Sequence, residues 1–168
     1  MFKALLRLVW VPAFAGMTTA FLLSACGFQL RGDAAVGIRT LFVPGGGVAQ
    51  EIRRALVTGP TRVVATAAEA EANLRIVSET RDRQVYTITG QGQVYEFELR
   101  LTVRYDMMVP GREEPVIPST EVASRRTITY SAAAPIAKEA EELLLFKDMQ
   151  VEIADRILRQ VAIARKDM

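Results

Sequence analysis

The chain has no histidine and a single cysteine, Cys26. Without an imidazole there is no Ser-His-Asp triad and no Cys-His dyad. Zinc centres built on His or Cys are excluded for the same reason. One cysteine cannot close a disulfide within the chain, so the fold must rest on its core. An excess of charge is also missing. The formal net charge is +2, but Lys3 and Arg7 sit in the apolar N-terminal segment. Residues 26–168 then carry 19 basic and 19 acidic side chains. Bulk attraction to nucleic acid is therefore not expected.

What is present begins at the N-terminus. Residues 1–25 contain Lys3, Arg7 and no acid, and no charge occurs from Leu8 to Gln29. A basic start, an apolar run and small residues form the layout of an export signal. The run is also long enough to span a bilayer, which takes about 20 apolar residues. Pro12, Gly16, Thr18 and Thr19 weaken it as a retained helix. Leu23-Ser24-Ala25-Cys26 resembles the bacterial lipobox, in which the cysteine is lipidated and the peptide before it removed. That reading, unlike the retained helix, accounts for the lone cysteine at the end of the apolar run. It divides the chain into a cleaved lipoprotein signal peptide (1–25), a lipidated tether (26–39) and a single α+β domain (40–168). Gly27 follows the cysteine where an Asp retains such proteins at the inner membrane. Its resemblance is to the outer-membrane address, with the domain facing the periplasm.

Thr40 to Val43 reads as a short buried strand, ended by Pro44-Gly45-Gly46-Gly47. Val48 to Val57 reads as a helix with Val48, Ile52, Ala55 and Leu56 on one face. Strand, glycine loop and helix is also the arrangement that cradles phosphate. Yet Gln50 stands where the third glycine of GxGxxG belongs, and no Gly-Lys-Ser/Thr follows. A plain surface connection is the other reading. Arg62 to Ala65 is a second short strand, and 67–72 makes a helical turn. Asn73 to Thr89 is strand-like, with Leu74 and Ile76 on one face. Gly90-Gln91-Gly92 turns it back. Tyr95, Phe97, Leu99, Leu101, Val103 and Tyr105 then alternate strictly with polar residues, so one face is buried and one wet. Strands this long carry the hairpin past the helices. Pro110 to Pro115 is a loop with Arg112 at its tip. Thr120 to Tyr130 is a further strand. Pro135 opens a helix over about 136–165, with a stripe of Ala140, Leu144, Val151, Ala154, Leu158 and Val161. Leu143 to Phe146 widens that face, by deeper core packing or as a partner-facing patch. The order predicts a two-layer α+β sandwich, with two helices packed on one face of a mixed, mostly antiparallel four- to five-stranded sheet.

Cys26-Gly27-Phe28-Gln29-Leu30-Arg31-Gly32 resembles the opening of the LptE family of lipopolysaccharide-assembly lipoproteins. The Val109-Pro110-Gly111-Arg112 loop and the long C-terminal helix with Asp155-Arg156-Ile157-Leu158 agree with that resemblance. It implies a non-enzymatic outer-membrane lipoprotein that plugs and helps assemble an LptD-type β-barrel inserting lipopolysaccharide. It also implies direct contact with lipopolysaccharide. Its phosphates and carboxylates call for arginine, whose planar fork binds such oxygens bidentately. Arg112 is the first candidate, followed by Arg100, Arg104, Arg125 and Arg159. Each has the plainer alternative of a solvated arginine beside a carboxylate, and Glu113 and Glu114 adjoin Arg112. The family's late basic pair is incomplete, since Gln160 follows Arg159. Glu96, Glu98 and Glu121 fall on the wet face among arginines and form no recognisable acid–base pair. No cofactor, metal or catalytic residue is implied. The competing function is a structural or pilot lipoprotein of another envelope complex.

Overall fold

A computed structural model describes residues 36–131 and 134–168. Cys26, the 1–25 signal and the 26–35 part of the tether lie outside the described residues. The order is β1 (Thr40–Phe42), α1 (Val48–Leu56), β2 (Arg62–Val63), a 3-10 turn (Ala67–Glu69), β3 (Ala72–Ile88), β4 (Val94–Met108), β5 (Ile117–Thr129) and α2 (Pro135–Ala164). The sheet runs β2-β1-β3-β4-β5. β1 pairs in parallel with β2 and β3, while β3, β4 and β5 form an antiparallel meander. The expected mixed, mostly antiparallel α+β sheet is therefore present, with five strands and two helices.

Strict alternation on β4 builds the core. Leu99, Leu101, Val103, Tyr105 and Met107 are buried beneath the helices. Val36 and Ile38, inside the segment expected as tether, are buried in the same core. Their apolar side chains are too few and too close to Gly37 to announce a strand or helix, so the sequence pattern gives no signal of packing there.

α2 is present, and Ala154, Leu158 and Val161 of its expected stripe are buried, but the first half of that stripe is in the wrong phase. The buried residues are Phe146, Met149, Gln150, Ile153, Ala154, Ile157, Leu158 and Val161. Ala140, Leu144 and Val151 are exposed. The run Leu143 to Phe146 is split: Phe146 enters the core and Leu145 packs on it, while Leu143 and Leu144 are about two-thirds exposed. The helix has enough apolar residues for two stripes. The packed stripe begins at Phe146, where the Arg81 guanidinium lies 5.4 Å from the ring centroid. The expected buried face of β4 also ends early, because Tyr95 is exposed at the hairpin end.

The register on β3 explains a carboxylate among the hydrophobes. Ile76 pairs with Tyr105, and Ser78 pairs with the next residue back, Arg104, so Val77 is a bulged extra residue. The bulge reverses the alternation and turns Glu79 to the helix side, opposite Val103. There Glu79 Oε2 accepts the Val48 N–H at 2.8 Å, and Oε1 accepts from Gln150 Nε2 at 2.7 Å. Glu79 thus caps α1 from a distant strand, in place of the local side-chain cap that α1 lacks. A carboxylate at a helix N-terminus also suits the helix dipole. Gly47 is what admits it. Its φ is 58°, and a Cβ there would collide with the Glu79 carboxylate. Gly47, the last of the three glycines, thus serves close approach of a side chain rather than of a phosphate.

Glu79→Ala removes this cap and strands the Gln150 amide. Equilibrium urea unfolding is expected to show a loss of about 2 kcal/mol with an unchanged slope, the scale of one lost cap plus one buried hydrogen bond.

Candidate functional site

The helices cover one face of the sheet. The opposite face is built by the polar half of the β4 alternation and its cross-strand neighbours. Side chains directly opposite each other on paired strands share a face, so the register places each arginine. Arg100 lies opposite Arg125 on β5 and opposite Asp82 on β3. Arg104 lies opposite Glu121. Arg75 lies opposite Asp106 and donates to both of its carboxylate oxygens, from Nε at 3.1 Å and from Nη2 at 2.6 Å.

Three of the five sequence candidates therefore come together: Arg100, Arg104 and Arg125. The other two do not join them. Arg112 is on the exposed turn between β4 and β5, at the end of the sheet where β3 begins. Arg159 is exposed on α2, in the other layer. No single five-arginine site exists.

The three arginines differ in how they are held. Arg104 bonds Glu121 at 3.2 Å, with both side chains about half exposed, the solvated pair of the plainer alternative. Such a pair contributes about 0–1 kcal/mol. Arg100 reaches Glu98 at 3.3 Å through Nη2. Its Nε is buried with no hydrogen-bond partner among the described residues. Arg125 is exposed beside it. Two like charges directly opposite on neighbouring strands repel; Glu98 bonds Arg100 and Asp82 lies opposite it, so both acids stand on the Arg100 side rather than beside Arg125. The Asp82–Arg100–Arg125 row is thus the place on this face where one more anion would be favourable.

Sequence reasoning did not find two further constellations. Each depends on residues far apart in the chain, and no local motif announces either. At the outer end of the helix-facing side, Arg83 stacks on Phe97 at 3.9 Å from the centroid and bonds Glu142 at 3.1 Å. Phe97 meets Tyr130 edge-on, with centroids 5.7 Å apart. Together with Pro135 and Lys138 these line a cleft of about 200 Å³ at the start of α2. The second centres on Glu152 of α2. It accepts from Ser124 at 2.9 Å and from Arg126 at 2.7 Å, and it pairs with Arg156. Burial alone would raise this carboxyl. The Ser124 and Arg126 hydrogen bonds and the two arginine charges outweigh it, so its pKa falls below the ordinary value of 4.5. The cluster ties α2 to β5 and is structural.

A carboxylate lowered by folding stabilises the fold above its unfolded value. That contribution is lost as pH falls from 4.5 through the lower folded value. Glu152→Gln is therefore expected to lower the melting temperature at pH 7, by a few degrees. The gap to the unaltered protein should close as the pH falls below 4.5 and through the lower folded value. Thermal melts across that range measure it, and a gap independent of pH would contradict the assignment.

A family model described as "LptE: Lipopolysaccharide-assembly" matches residues 38–161. The LPS-assembly lipoprotein LptE of Pectobacterium atrosepticum is 28% identical over 145 residues, covering 82% of this chain and 77% of that protein. The solution structure of an uncharacterized lipoprotein B from Nitrosomonas europaea is similar, with a TM-score of 0.67 at 28% identity. It covers 81% of this chain and 90% of its own. The crystal structure of the rare lipoprotein B from Shewanella oneidensis shares the fold, with a TM-score of 0.67 at 24% identity, over 77% and 98% of the two chains.

Proposed function

Because the chain belongs to the LptE family of lipopolysaccharide-assembly lipoproteins, we propose that it plugs and helps assemble an LptD-type outer-membrane β-barrel. In this reading the barrel passes lipopolysaccharide to the outer leaflet, and the protein performs no catalysis. Cys26 carries the lipid anchor, and the domain faces the periplasm. Several acyl chains anchor firmly where one would be marginal, since each buried CH₂ contributes about 0.8 kcal/mol.

The observation that supports a plug is the uncovered sheet face. A layer of helices protects one side of the sheet, while the other presents Arg75, Asp82, Arg100, Arg104, Asp106, Glu121 and Arg125. Acids and bases alternate there and nearly cancel. Such a face suits the polar interior of a large barrel, whose lumen-facing side chains are polar. It is less suited to a hydrophobic interface.

Direct contact with lipopolysaccharide is proposed at the Arg100–Arg125 row. A phosphate there pairs with the exposed Arg125 guanidinium and screens the like-charge pair. Arg104 is held by Glu121 and contributes field rather than a free fork. Arg112 and Arg159 are separate candidates, one on the β4–β5 turn and one on the helix layer.

Three experiments test this. Affinity capture of the tagged protein from detergent-solubilised outer membranes is expected to retain a large barrel protein in equal amount. A clean, partnerless lipoprotein would favour the structural or pilot alternative. Replacing both Arg100 and Arg125 by Ala is expected to weaken binding to lipopolysaccharide micelles about tenfold or more, as two charge-assisted contacts are lost. The same pair of changes should leave the melting temperature almost unmoved. Cys26→Ser is expected to move the protein from the membrane to the soluble fraction.

A further inference from the structure

The outer end of the β3–β4 hairpin is unlike the rest of the molecule. From Val85 to Tyr95 the sequence is VYTITGQGQVY, without one charged residue, in a chain that is 24% charged. Arg83 and Glu96 bracket the stretch. Hydroxyls, amides and aromatic rings replace the charges.

The register displays the aromatic residues outward. Val85 pairs with Phe97 and Thr87 with Glu96, leaving Tyr86 as an extra residue on β3. Thr87 pairs with Glu96 and Ile88 with Val94, leaving Tyr95 as an extra residue on β4. Two bulges on opposite strands thus each carry a tyrosine. Bulges re-aim side chains and interrupt a strand edge. Tyr86 is 59% exposed, Tyr95 51% and Ile88 63%, while Val85 and Tyr130 are also open to solvent. Tyr130 joins the group through its N–H, which donates to the Tyr95 carbonyl at 2.8 Å.

This end also lacks support. β5 pairs with β4 only as far as Glu96, and β1 pairs with β3 only at its start. The tip is therefore a two-stranded ribbon, which is marginal alone in water. Exposed apolar groups on such a ribbon call for a cover.

We infer that the tip, Val85 to Tyr95 with Tyr130, is a docking surface for an uncharged, hydrogen-bonding patch of a folded protein partner. Tyrosine with glycine and small polar residues gives large contact area at low entropy cost, the composition of protein-binding loops. Depletion of charge is the mark of the centre of a protein interface. A charged partner group would be buried there without a counter-charge, at high cost. A membrane surface fits less well, because no lysine or arginine is present in the stretch to meet anionic headgroups. The inference deepens the plug reading and rests on it only for naming the barrel as the owner of that patch.

The test places the photo-crosslinker p-benzoylphenylalanine at Tyr86, Ile88 or Tyr95 in the full-length protein in intact cells. Val57 and Ile163, exposed but distant, serve as controls. The expected result is one protein adduct from all three tip positions and none from the controls. Its mapped peptide should be free of Asp, Glu, Lys and Arg. Ile88→Lys should cut co-purification of that partner at least tenfold with an unchanged melt, while Ile88→Val retains it. Adducts to lipid, to glycan or to a second copy would overturn the inference, as would no adduct or equal adducts at the controls. If the barrel co-purifies but the tip adducts lie elsewhere, the docking surface fails and the plug reading stands. If no barrel co-purifies but the tip maps to an uncharged patch of another protein, the plug reading fails and the docking surface stands.

Discussion

Glu79 occupies a place where alternation would put a hydrophobe. It faces the helices, opposite Val103, and from there it reaches two of them at once. α1 has only nine residues and no cap of its own. A helix that short is marginal without tertiary support. Its anchorage to the meander comes from apolar contacts of Val48, Ala49, Ile52 and Leu56, and from this one carboxylate. Glu51 reinforces the arrangement from the other side, between Arg54 at 2.9 Å and Lys147 of α2 at 3.1 Å. The parallel β1–α1–β2 unit and the antiparallel meander are thus joined by polar groups that sit at the border of the core.

That border divides the molecule by chemistry. On one side the helices enclose a continuous apolar core, from Val36 through Leu101 to Val161. On the other, the hairpin continues without cover and its side chains become long and polar: Arg81, Arg83, then the uncharged tip. Arg83 marks the passage. Its guanidinium covers Phe97, the last partly buried ring of β4, and closes on Glu142 near the start of α2. The uncovered face carries the third kind of surface, a ladder of compensating charges. An apolar core, a charged ladder and a neutral tip are three surfaces suited to three different surroundings.

Much of this was legible in the sequence, and the illegible parts have common causes. The β4 alternation shows in any window, because a long amphipathic strand repeats its signal. It also put Arg100 and Arg104 on one face without further information. That Arg125 stands opposite Arg100 depends on register, which the β4–β5 turn and the irregularity between Tyr105 and Met107 set together. The β3 bulge at Val77 leaves no mark in composition, yet it decides which way Glu79 points. Helix α2 was plain from its length and its proline. Its phase was legible only toward its end, at Ala154, Leu158 and Val161; before that, Leu144 and Val151 offer a stripe as apolar as that of Phe146, Met149 and Ile153. What chose between them is what lies opposite on the sheet, and no local pattern reports that.

The position of α2 in the chain bears on how the molecule is made. Leu99, Leu101 and Val103 share a core with Met149, Ile153 and Ile157 of α2, and α2 follows all five strands in the chain. Synthesis proceeds from the N-terminus, so the sheet is complete in residues long before its roof exists. The strands therefore wait on a helix that comes after them in the chain, and that helix acts as a latch on the core.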